Sequence, residues 1–142
     1  MHFFEEFTIP TDGYFIVTVP VGITSEKTLY EFYADALGFP GWFGYNWDAF
    51  LDCLRDIDAV SGKNIVIQHD DLPFESDPTN QAIYLDILLS TQIRHRGKVI
   101  VTFPVDMQDR VDRVILDYWK SRCPDVENKE DVTARICDMV LR

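Results

Sequence analysis

The chain has 142 residues, of which 46% are hydrophobic and 13% aromatic; this suits one globular domain with its own core and excludes a disordered chain. Its formal net charge is −11, concentrated in residues 1–90 (15 acids against 3 bases) and absent from residues 91–142 (9 acids against 10 bases). Such a field repels nucleic acid and anionic membranes and attracts basic proteins, so neither nucleic acid nor membrane is an expected partner.

No stretch approaches the ~20 apolar residues of a membrane helix. The opening Met1-His2-Phe3-Phe4-Glu5-Glu6 is acidic and lacks the basic flank of a signal peptide, so a cytoplasmic protein is expected. Cys53, Cys123 and Cys137 are far apart, with no Cys-x-x-Cys pair, which argues for free, buried or half-buried thiols over a disulfide framework or a zinc site. No metal or other cofactor is expected.

In chain order, Tyr14 to Val19 is β-branched and aromatic and predicts a strand. Ser25 caps a predicted helix reaching Leu37, with Leu29, Phe32, Tyr33 and Ala36 inward and Gly38 as its stop. Asn46 is an N-cap for a helix over residues 47–57, whose Phe50, Cys53, Leu54 and Ile57 recur at i, i+3, i+4, i+7. Asn64 to His69 predicts a second strand. Asp77-Pro78 opens a helix over about 79–94, with Ile83, Tyr84, Ile87 and Leu88 inward. Val99 to Phe103 predicts a third strand, stopped by Pro104. Asp106 starts a further helix with Val111, Val114, Ile115, Tyr118 and Trp119 on its stripe, and Pro124 ends it. A last helix over about 131–141 is expected to bury Val132, Ile136, Met139 and Val140. Strands separated by helices imply an α/β fold with a small parallel sheet, in one domain spanning residues 1–142.

The chemistry concentrates in residues 38–55. A loop with Gly38, Gly41 and Gly44 runs into the helix at Trp47. Opposite that helix's core stripe stand Asp48, Asp52 and Arg55, flanked by Trp47 and Leu51. Like charges at i, i+4 cost roughly 0.2–0.5 kcal/mol, so the acid pair does nothing for the fold. Aromatic anchors beside charges are the composition of a protein-binding patch. The glycine spacing matches neither a Walker loop nor a dinucleotide fingerprint. Asp70-Asp71 and His69 invite a metal or acid–base reading, but no metal spacing and no nucleophile–base pair is present, and an enzyme is not expected.

The run Leu37-Gly38-Phe39-Pro40-Gly41-Trp42-Phe43-Gly44-Tyr45-Asn46-Trp47-Asp48-Ala49-Phe50-Leu51-Asp52-Cys53-Leu54 resembles the barstar family, intracellular inhibitors of barnase-type ribonucleases. The resemblance extends over roughly residues 14–103. It implies a barstar-like three-stranded parallel sheet with packed helices, to which residues 104–142 add a C-terminal helical extension. It also implies that the acidic helix and its loop occlude a ribonuclease active site, the acids imitating RNA phosphates. By position, Asp52 matches the family's dominant contact and Asp48 a second acid. Trp42 stands for a contacting tyrosine, and Gly44 and Asn46 match loop contacts. The chain departs from the family at Leu51, where a contacting tryptophan is usual, and at Arg55, where a small polar contact is usual. The acid near the end of the third helix is absent, that segment reading Gln92-Ile93-Arg94-His95-Arg96.

The expected partner surface is therefore Trp42, Phe43, Gly44, Asn46, Trp47, Asp48, Leu51, Asp52 and Arg55. The expected partner is a basic, extracellular-type ribonuclease or related toxin, bound by a monomer. The alternative is a protein-binding module of the same fold with a non-nuclease partner.

Overall fold

A computed structural model describes residues 2–4, 13–57 and 64–141. Glu5 and Glu6, which carried the reading of the N-terminus, lie outside the described residues. Three strands, β1 (Tyr14–Val19), β2 (Asn64–His69) and β3 (Val99–Thr102), form one parallel sheet in the order β1-β2-β3. Their register aligns Phe15 with Ile65 and Val17 with Ile67, and continues from Ile65 to Val99 and from Ile67 to Val101. The alternate residues Val17, Val19, Ile65, Ile67, Val99 and Val101 point to one side and join the main core. The third strand ends one residue earlier than its apolar run suggests, at Thr102.

Among the described residues between β1 and β3, three helices pack with this sheet. Helix α1 (Glu26–Leu37) is capped by the Ser25 hydroxyl, which accepts from Thr28 N–H, and closes on Gly38 at φ 64°. Helix α2 (Trp47–Arg55) buries Phe50, Cys53 and Leu54. Helix α3 (Pro78–Arg94) starts with Pro78 in its first turn, and the Asp77 side chain accepts from Asn80 N–H. On α1 the buried stripe is Leu29, Tyr30, Tyr33 and Leu37; Phe32 and Ala36 sit at its margin. The rotation follows from Tyr30, whose ring meets Phe43, Trp47 and Phe50.

Helix α3 is buried nearly all round, down to Gln81 and Thr91, while the expected Ile83 is only half-buried. The cause is the C-terminal extension. A short 3₁₀ turn (Val105–Met107) leads into α4 (Gln108–Arg122), and α5 (Lys129–Val140) follows an Asn128 cap. Both pack on α3 and give it a second buried face. On α4, Val111, Ile115 and Trp119 are buried, whereas Val114 and Tyr118 are half-exposed. Helix α5 begins two residues before the expected start and buries Val132 and Ile136, but Met139 is 70% exposed. Trp119 is spent on this intramolecular packing, its indole N–H donating to Asp86 Oδ1 at 2.7 Å.

Under α2 lies a buried polar chain. Tyr33 and Tyr84 hydroxyls are 2.7 Å apart, Tyr84 Oη is 2.7 Å from His69 Nε2, and His69 Nδ1 is 3.0 Å from the Thr102 carbonyl oxygen. That carbonyl only accepts, so Nδ1 carries the proton and Nε2 accepts from Tyr84. Tyr84 in turn accepts from Tyr33. The chain joins α1, α3, β2 and β3 behind the acidic helix.

Candidate protein-binding site

The loop ahead of α2 is built by a few local devices. Gly38 closes α1 through its N–H to Ala34 O, and Phe43 N–H turns back to Pro40 O at 3.0 Å. Tyr45 takes the left-handed region at φ 52°, a conformation few side-chain-bearing residues adopt. That turn delivers Asn46 extended at the helix start, where its Oδ1 accepts from Ala49 N–H at 2.8 Å. Asn46 Nδ2 donates back to Gly44 O at 3.3 Å. A Cβ on Gly44 would stand 3.3 Å from Asn46 Nδ2, so the bare backbone there keeps the cap in place.

The outer face of α2 carries Asp48, Asp52 and Arg55, with Asp56 at the C-cap just beyond, all exposed, above the buried Phe50, Cys53 and Leu54. Asp48, Asp52 and Asp56 follow one another at i, i+4, i+8, about 6 Å apart along the axis. Arg55 Nη1 lies 3.7 Å from Asp52 Oδ1. Beside this row, Trp42 is 66% and Tyr45 54% exposed.

Two expected site residues turn inward. Trp47 does not flank the acids as an outward anchor. Its half-buried ring lies against Tyr30, Phe50, Phe74 and Tyr84, and its N–H donates to Asn80 Oδ1 at 3.0 Å. Phe43 is buried against Tyr30 and Phe39 and supports the loop from beneath. Leu51 is half-buried, and Asn46 and Gly44 are exposed but committed to the cap. Two further exposed residues share this surface. Tyr45 is an exposed aromatic one residue before the cap, and Asp56 extends the i, i+4 row that Asp48 and Asp52 begin.

The arrangement offers little for catalysis. Burial, then the carboxylates of Asp52 and Asp56, push the Cys53 thiol up, away from the reactive thiolate. His69 is sealed in the core, where burial lowers its imidazole to about 3. Asp71 accepts from Gly22 N–H at 2.8 Å. Among the described residues no three His, Cys, Asp or Glu come together as a metal site, and no helix is long and apolar enough to cross a membrane. What the surface presents is a negative ridge with aromatic shoulders.

The family model Barstar, described as barstar (barnase inhibitor), matches residues 15–104. No curated protein and no solved structure matches the chain. The matched segment runs from β1 to just past β3 and includes the whole acidic ridge with its loop, and on it the chain belongs to the barstar family.

Proposed function

We propose that this protein inhibits a basic ribonuclease by seating the outer face of α2 and the preceding loop in the enzyme's active site. The observation that carries this reading is the row Asp48, Asp52 and Asp56, exposed along α2 and its C-cap, with Phe50, Cys53 and Leu54 buried on the opposite face of the helix. A ribonuclease site must attract phosphates, so carboxylates held about one turn apart compete for the same cationic groups. Trp42 and Tyr45 supply rigid apolar contact beside them. The mechanism is stoichiometric occlusion, with no bond made or broken.

The test is a titration of barnase, the enzyme that the family's description names, with the wild-type protein and with Asp52→Ala. Inhibition reaching completion near one equivalent, and lost in the variant, supports the reading. No inhibition by the wild type removes barnase as the target.

Arg55 and the half-buried Leu51 favour a second reading, a binding module for a partner that is not a nuclease. Ionic strength separates the two. Phosphate mimicry requires an association rate that falls steeply with salt, whereas an apolar contact does not.

A further inference from the structure

Away from the acidic ridge, a cavity of about 410 Å³ opens where residues 2–3, the end of α3, the start of β3 and the first turns of α5 meet. Apolar Phe3, Leu89, Ile93, Val99 and Ile100 line its floor. Arg96 and Lys129 stand at its wall, and among the described residues no carboxylate lines it. Its volume is within the range of small-molecule sites, and an apolar floor with a few convergent polar groups is their usual chemistry.

The two cations differ in how they are held. Lys129 Nζ lies 2.7 Å from Asp112 Oδ2, and that carboxylate is almost fully buried. Asp112 also takes His2 Nδ1 at 2.7 Å and the Phe3 N–H at 2.9 Å. This one buried acid thus ties the N-terminal residues and the start of α5 into the cavity wall. Arg96 is exposed, and among the described residues no carboxylate pairs with it. On a chain of net charge −11, Arg96 thus gives the described wall of this concave spot a positive charge that the Lys129–Asp112 pair does not supply.

We infer that this cavity binds a small amphipathic carboxylate, its apolar body on Phe3, Leu89, Ile93 and Ile100 and its carboxylate toward Arg96 and Lys129. Charge complementarity selects the anion, and the apolar floor selects the body. The site uses Lys129 from the C-terminal extension, beyond the family-matched segment, and it is independent of whether the acidic ridge meets a ribonuclease.

The test is amide NMR of the full chain titrated with hexanoate, with hexylamine and 1-hexanol as controls. The expected result is saturable shifts at Gln92, Arg96, Gly97, Ile100 and Thr133 with hexanoate alone. Arg96→Gln should weaken hexanoate binding roughly tenfold, as loss of a charge-assisted hydrogen bond does, and Arg96→Lys should restore part of it. Arg96 is exposed, so these variants keep the fold, and an unchanged amide spectrum elsewhere verifies this. Absence of saturable shifts, equal binding of the alcohol or the amine, or affinity indifferent to Arg96→Gln overturns the inference.

Discussion

Arg55 Nη1 sits 3.7 Å from Asp52 Oδ1 on the outer face of α2, with both side chains half exposed to water. An exposed pair of this kind is worth at most about 1 kcal/mol and is screened by salt, so a partner's cation can displace it. Arg55→Ala should therefore leave stability within about 0.5 kcal/mol of wild type. It should also raise the association rate with a basic ribonuclease, because it removes a like charge from the ridge. Stopped-flow measurements at low and high salt check this; a slower association would mean that Arg55 itself meets an acid on the partner.

Asp52→Ala separates binding from folding more sharply. The side chain is exposed, its row neighbours Asp48 and Asp56 repel it, and its ion pair is weak. Thermal stability should be unchanged or higher by a few tenths of a kcal/mol. Binding should weaken by at least about 2 kcal/mol, as for a central hot spot. A clear drop in melting temperature would make the acid a structural group and leave the ridge without its main contact.

Trp47 should behave the opposite way. Its ring contacts Tyr30, Phe50, Phe74 and Tyr84, and its N–H is satisfied by Asn80. Trp47→Ala should cost about 3 kcal/mol by urea unfolding, the scale of removing a large packed aromatic. Asn80→Ala removes that acceptor together with the Nδ2 donor to Glu26 Oε1 at 2.9 Å and Asp77 Oδ2 at 2.8 Å, and should cost about 1–3 kcal/mol. In both variants the folded fraction should keep more of its partner affinity than Asp52→Ala does.

The contrast between Asp52 and Trp47 shows what the sequence makes legible. Most local signals match the structure: Ser25, Asn46 and Asp77 cap their helices, Gly38 stops α1, and the three apolar runs form the sheet, whereas Asp106 caps no helix and lies in the 3₁₀ turn ahead of α4. The buried and acidic faces of α2 followed from its period alone. What failed depended on distant partners. A helical wheel puts Trp47 at the edge of the acidic face, but Asn80 and Tyr84, more than thirty residues away, draw it inward. Phe43 reads as a loop aromatic until Tyr30 is placed beneath it. Met139 falls at the outer edge of the α5 stripe, whereas Val140, one residue on, still packs against the core. Tyr45 was hidden because its exposure rests on a backbone angle that nothing in its residue type announces.

The C-terminal extension is tied down by Trp119, whose N–H donates to the largely buried Asp86 at 2.7 Å. Burial raises the Asp86 carboxyl, and the Trp119 hydrogen bond and Arg122 lower it again. Trp119→Phe keeps most of the ring and deletes the donor, so it should cost about 1–3 kcal/mol. The lost hydrogen bond raises the folded-state pKa further. A group raised in the folded state contributes stability below its unfolded pKa and loses it as pH rises through the folded value. The penalty of Trp119→Phe should thus be larger at pH 7 than at pH 4, which unfolding curves at the two values will show.

His69 should weaken the fold toward acid. Its ring stacks on Phe103 with centroids 4.1 Å apart, and both nitrogens are engaged, with Thr102 O and Tyr84 Oη. Burial drives its pKa to about 3, and the hydrogen bond to Thr102 offsets only part of that. The unfolded chain takes up the proton near 6.5. Between those values the unfolded state binds more protons, so the stability contributed is complete above about pH 6.5 and is lost as pH falls toward 3. The loss by pH 3 is on the order of 4 kcal/mol for this one group. Protonation would also turn Nε2 from acceptor to donor, reversing the bond from Tyr84 and breaking the direction of the chain from Tyr33. His69→Gln keeps an acceptor for Tyr84 and a donor for Thr102 without a titrating ring. It should lower stability at pH 7 yet flatten its slope between pH 7 and 4, and equal slopes for the two proteins would show that carboxylates alone govern the acid limb.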